Sequence, residues 1–252
     1  MKGAVAAGHP LTAQAGARVL EEGGNAVDAC VAAAFAGSVC ESFLTSPGAG
    51  GFMLVHSARK RSAHLADFFV AAPGLGLKRR RAGEMDAIDV GFGDSETTQP
   101  FLIGPATVAV PGAVAGLEAA HRRYGRLPWK ELLAPATELA RDGIELTRQQ
   151  AHIHGLLDPI IRHTDEGRRV YSSSSGSRLV SGDTLRLPDL ANTFEAIARR
   201  GASHAPTRAS PRSPLPAERP MPPRLTATAT RRPSRPRPGP APGSSSPGPG
   251  ST

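Results

Sequence analysis

The stretch between Asn25 and Glu41 limits this chain's choices most. It reads AVDACVAAAFAGSVC, with Ala, Val, Cys and Phe on nearly every side of the helix it would form. A helix that is apolar all round has no face to give to water and is buried. Its many alanines let neighbours approach closely, so Ala26–Cys40 is expected in a layer between a sheet and other helices. Asn25 is suited to cap it, and Asp28 favours its N-terminus. Upstream, Pro10 suits a first helical turn, and Leu11, Ala15, Val19 and Leu20 recur at helical spacing until Gly23-Gly24 stops them. Cys30, inside the apolar run, is expected as a small buried hydrophobe, and no disulfide to Cys40 is expected.

Ser46-Pro47-Gly48-Ala49-Gly50-Gly51 is a turn-rich loop. Strands are expected at Phe52–His56 and about Ala63–Val70, as an antiparallel hairpin. Residues 75–104 are weakly patterned and read as an exposed loop. They include Lys78-Arg79-Arg80-Arg81, a solvated run rather than a nucleic-acid or targeting signal. A short strand is expected at Thr107–Val110. Val114, Leu117, His121 and Tyr124 mark one helix face. A further helical region begins at Trp129, is interrupted at Pro135 and ends near Gly143. Asp189–Arg200 is the last helix, with Gly201 as its stop. The fold class is α/β, in the layered α+β sense.

The composition splits near Gly201. From there to Thr252 lie 14 of the 24 prolines and eight arginines against a single acid, Glu218, a net charge of +7. Residues 1–200 carry a net charge of only +1, so the body gives no electrostatic reason to expect nucleic acid as partner. The domain reading is therefore a folded body, 1–202, and a Pro/Arg-rich tail, 203–252. The tail has no aromatic residue and no periodicity, and it cannot bury enough apolar surface to offset chain entropy. It is expected to be disordered and out of frame, since a GC-rich gene read in the wrong frame yields Arg, Pro, Ala, Gly and Ser. No signal peptide or membrane span is read, so a soluble, cytoplasmic protein is expected.

Local signals favour structural roles. The Gly48–Gly51 loop lacks the strand-before, helix-after order of a phosphate cradle. His152 and His154 point to different faces of any helix, lack a carboxylate at zinc spacing, and read as exposed polar residues. His9 reads as a cap or packing residue. Ser172–Gly176 is a loop without nucleophile-elbow context. Asp67, at a strand end, reads as a turn residue before it reads as a site residue. No cofactor and no metal are implied.

Several stretches together resemble the large-subunit region of the gamma-glutamyltransferase family. They are His9-Pro10 leading to Leu20-Glu21-Glu22-Gly23-Gly24-Asn25-Ala26-Val27-Asp28-Ala29; Gly48-Ala49-Gly50-Gly51-Phe52-Met53-Leu54-Val55; Val108-Ala109-Val110-Pro111-Gly112 through Leu117; and Tyr124-Gly125-Arg126-Leu127-Pro128-Trp129 through Leu133. Gly182-Asp183, Pro188-Asp189-Leu190-Ala191 and Phe194-Glu195 fit further on, so the resemblance covers about residues 3–202. It implies part of a four-layer αββα fold of the N-terminal-nucleophile hydrolase class. It implies a precursor that cuts itself, freeing a threonine that forms an acyl-enzyme with gamma-glutamyl substrates. That threonine belongs to the small subunit, before which this chain is expected to stop, leaving it inactive alone and without a catalytic residue.

One departure bears on the substrate. Family members carry Asp, a variable residue and then Arg-Glu shortly before Ala-Pro, and that arginine grips the substrate's alpha-carboxylate. Here the stretch is Asp67-Phe68-Phe69-Val70-Ala71-Ala72-Pro73, with Phe69 at the arginine's place. Altered substrate choice is the favoured reading; an ordinary glutathione-type enzyme using another cation is the alternative. A function of a different class also stands beside the enzyme: a non-catalytic binding protein whose basic tail recruits an acidic partner.

Overall fold

The computed structural model describes residues 3–74, 83–93, 97–204 and, for the backbone alone, 219–220. Contacts divide the chain into two units, Met1–Met221 and Pro222–Thr252, and the second lies outside the described residues. So do Lys78–Arg81 and nearly all of the Pro/Arg tail. In chain order the elements are α1 (Pro10–Glu21), α2 (Ala26–Cys40), β1 (Phe52–Ser57), β2 (Ser62–Asp67), β3 (Asp86–Gly91), β4 (Thr98–Ile103), α3 (Ala113–Tyr124), α4 (Trp129–Asp142), β5 (Ile144–Glu145), α5 (Arg148–Ile161), α6 (Asp165–Tyr171), β6 (Thr184–Leu185), α7 (Pro188–Arg200) and β7 (Arg219–Pro220). Strands pair antiparallel in the orders β1-β2-β7, β3-β4 and β5-β6.

Helix α2 is the hub, touching α1, α3 and α4, while α4 in turn packs on α7. Phe35 of α2 meets Trp129 and Phe194 edge-on, at ring-centre distances of 5.7 and 5.5 Å. Leu132, Leu133 and Ala136 of α4 and Ile197 of α7 close the same core without solvent exposure. The burial of α2 is incomplete on one stripe: Ala26, Cys30 and Ala34 are exposed. Cys30 is therefore not the buried hydrophobe expected, because it falls one turn from each of the alanines of that stripe, Ala26 and Ala34. Both cysteines are free, and burial pushes the Cys40 thiol up to about 11.

The cap of α2 also ties distant segments together. Asn25 Oδ1 accepts from the amides of Val27 and Asp28 at 2.8 and 3.2 Å, and Asp28 answers by accepting from Asn25 N at 2.9 Å. The buried Asp28 carboxylate also accepts from Arg126 N at 3.0 Å, and Asn25 Nδ2 donates to the Tyr124 carbonyl at 2.7 Å. A Cβ at Gly125 would press on His121 and Asp28, so glycine is what lets this loop close.

Several expectations need correction. Residues 75–104 are not all loop, since β3 and β4 form a hairpin over 86–103. Its strands are mostly exposed, with only Val90 buried, and Pro100 sits in it as edge strands allow. Thr107–Val110 is not a strand; a 3-10 turn covers Pro105–Thr107 and only Val110 pairs, with Ala71. Helix α4 runs through Pro135 without a break; the carbonyl left free there belongs to the exposed Glu131. β2 ends at Asp67, three residues before the expected Val70, because the Asp67 carboxylate takes the Phe69 amide at 3.0 Å. His154 is buried, not exposed, as α5 turns it onto Phe43 and Tyr171. Among the described residues no helix is long and apolar enough to cross a membrane.

Candidate functional site

Three of the stretches singled out in the sequence meet at one place. The Ala49 carbonyl accepts from the amides of Gly112 and Ala113, at 3.1 and 2.9 Å, which docks the Gly48–Gly51 loop on the start of α3. Gly51 and Phe68 exchange backbone bonds of 3.3 and 3.0 Å, and Ala71 and Val110 exchange another pair at 3.1 and 2.8 Å. Phe68 is pressed into this junction. A Cβ at Gly112 would collide with its carbonyl, and a Cβ at Gly116 with its side chain. Glycine is thus demanded at these positions by close approach, of backbone to backbone at Gly112 and of backbone to the Phe68 side chain at Gly116.

A cavity of about 370 Å³ opens beside the junction, walled by α2, the loop, β1 and the first turns of α3. Phe35, Phe52, Met53, Phe68 and Leu117 supply its apolar wall, and among the described residues no charged side chain lines it. Ser38, Thr45 and Ser46 bring hydroxyls, but Ser38 Oγ donates to the Ala34 carbonyl at 3.2 Å and Ser46 Oγ accepts from Gly48 N at 3.1 Å. Neither is paired with a base that would activate it. No cluster of three or more His, Cys, Asp or Glu side chains able to hold a metal occurs among the described residues.

Phe69 is 60% exposed and stacks on Phe52, with ring centres 5.6 Å apart and planes 11° from parallel. It does not line the cavity itself but reaches its edge through Phe52. Asp67 is exposed and spends its carboxylate on the Phe69 amide, so it shapes the turn that presents Phe69. In the sequence Phe52 is marked only as a strand residue. The hairpin register held the signal: Phe52 lies opposite Asp67, two residues from Phe69.

Residues 12–205 match the model of the gamma-glutamyltranspeptidase family. The chain belongs to that family. It is similar to human glutathione hydrolase 7, at 34% identity over 79% of this chain and 28% of the relative. Among solved structures, it superposes on the gamma-glutamyltranspeptidase of Helicobacter pylori with a TM-score of 0.66 and 30% identity, covering 81% of this chain and 56% of that one. A cephalosporin acylase from Bacillus halodurans follows with a TM-score of 0.59 and 28% identity, over 76% of this chain and 34% of that one. These likenesses fix the fold as that of the gamma-glutamyltranspeptidases, a mixed α/β architecture of the N-terminal-nucleophile hydrolase class. Among the described residues the sheets are small and unclosed. The match takes in 26–32% of the length of curated family members.

Proposed function

We propose that residues 1–202 furnish the large-subunit share of an acyl-transfer site for gamma-glutamyl or related amides, with the attacking threonine supplied by a separate segment. The observation behind this is the convergence on one cavity of two family-like stretches, Gly48–Gly51 and Val110–Ala113, with Asp67–Ala71, the stretch that departs from the family pattern. In that reading the threonine hydroxyl attacks the amide carbonyl and its own amine takes the proton. The leaving amine departs, and water or an acceptor amine resolves the acyl-enzyme. This chain's part is to seat the acyl group.

The seat is proposed to disfavour an alpha-carboxylate. The Phe69 side chain offers no donor and no charge, and among the described residues no cation lines the cavity it borders. A charge-assisted bond lost in this way weakens binding by about 1.5–3 kcal/mol, roughly ten- to a hundredfold in kcat/KM. The test is a substrate panel on the complete enzyme and on its Phe69→Arg variant. The parent is expected to prefer acyl amides lacking the charged head, and Phe69→Arg to raise kcat/KM for a gamma-glutamyl anilide about tenfold. Equal efficiency on both substrate types, with no gain from the arginine, removes Phe69 from the specificity argument.

A further inference from the structure

A second concavity lies on α5, outside the junction just described. It holds about 400 Å³ and is lined by Arg148, His152 and Gly155 on one helix face, with Arg178, Val180 and Ser181 opposite. Arg148 and His152 are one turn apart, so their side chains share that face. Arg178 crosses the helix at Gly155, where a Cβ would press on its guanidinium, and its Nη1 donates to the Ala151 carbonyl at 3.2 Å. Glycine thus admits the arginine, and the carbonyl fixes it. Among the described residues no carboxylate lines the groove. Asp183, two residues past Ser181, accepts from Val180 N at 2.8 Å and is not among the lining residues, nor is Glu145, three residues before Arg148. Elsewhere the arginines Arg18, Arg141, Arg162, Arg168 and Arg169 each meet a carboxylate. Among the described residues neither Arg148 nor Arg178 is paired with a carboxylate, and both line this groove.

We propose that this groove binds the phosphoryl group of a small phosphate-bearing molecule. Two guanidinium forks, an imidazole and the Ser181 hydroxyl together match a multiply charged oxyanion better than a single carboxylate. The volume leaves room for part of the molecule that carries the phosphate. The site stands independently of the acyl-transfer reading.

The test titrates the full 252-residue chain with pyrophosphate, inorganic phosphate and succinate by calorimetry at neutral pH and fixed potassium chloride. Saturable pyrophosphate binding is expected, weakened about tenfold or more in Arg148→Ala and again in Arg178→Lys. Arg148 is exposed, so its variant should unfold at the parent's urea midpoint and the loss should be one of binding alone. The arginines of the tail are present in every protein compared. Affinity unchanged in both variants would assign the binding to that tail and overturn the proposal. Absence of saturable binding, or succinate binding as tightly as pyrophosphate, would overturn it too.

Discussion

Asp28 has no solvent exposure, and its charge is offset by backbone amides from Asn25, Arg126 and Leu127 at 2.9, 3.0 and 3.4 Å. Removing the carboxylate strands buried donors and opens the cap of α2 in one step. Asp28→Ala is expected to cost about 2–4 kcal/mol, read as a fall in the urea midpoint of the full chain. A midpoint within error of the parent would show that water replaces the carboxylate. Gly116 gives a second residue-scale outcome. Its missing Cβ is occupied by Phe68, so Gly116→Ala should destabilise by roughly 1–3 kcal/mol. Gly48→Ala, which would meet only the Ser46 hydroxyl at 3.3 Å, should be close to neutral. Equal effects at the two positions would contradict the packing described around Phe68.

Helix α5 is docked by buried groups that also make it sensitive to acid. Gln150 Nε2 donates to the Cys40 carbonyl, and His154 lies flat on Phe43 with its Nε2 unpartnered. Burial lowers the His154 pKa below the ordinary 6.5, with Asp158 opposing that shift and Arg178 and Arg162 adding to it. Above about pH 6.5 the imidazole is neutral folded or unfolded, and its contribution is complete. As pH falls, the unfolded chain takes the proton first, so stability drops until the folded imidazole titrates. Between about pH 6.5 and 5, the urea midpoint of His154→Phe should therefore fall less steeply than the parent's. Parallel slopes would place the acid sensitivity elsewhere.

Helices with an unbroken apolar pattern were legible in the sequence: α1, α2, α3 and α7 stand within a residue or two of expectation. Helix α5 was not, because Gly155 and Pro159 interrupt its pattern, and what holds it is a capping box at Thr147 and contacts from remote segments. The β3–β4 hairpin was hidden for a related reason: it buries almost nothing, so no alternation marks it. At the site, the sequence pointed to Asp67 and Phe69, while the stacking partner Phe52 depended on a strand register that composition does not reveal.

At the scale of the whole chain, the body and the tail part company where α7 ends at Gly201. We propose that the tail, 203–252, is read out of frame. Translating the coding DNA in the other two frames from about Ala202 should restore an aromatic-containing, family-like continuation in one of them; if neither does, the proposal fails. The body has its own consequence in time. The Asp28 clasp closes on an amide 98 residues further along the chain. On a ribosome adding roughly 5–20 residues each second, the nascent helix would wait on the order of 5–20 s for that amide to be made. Through that interval a nearly all-apolar helix stands without the partners that bury it, its cap carboxylate holding only the local amide of Asn25.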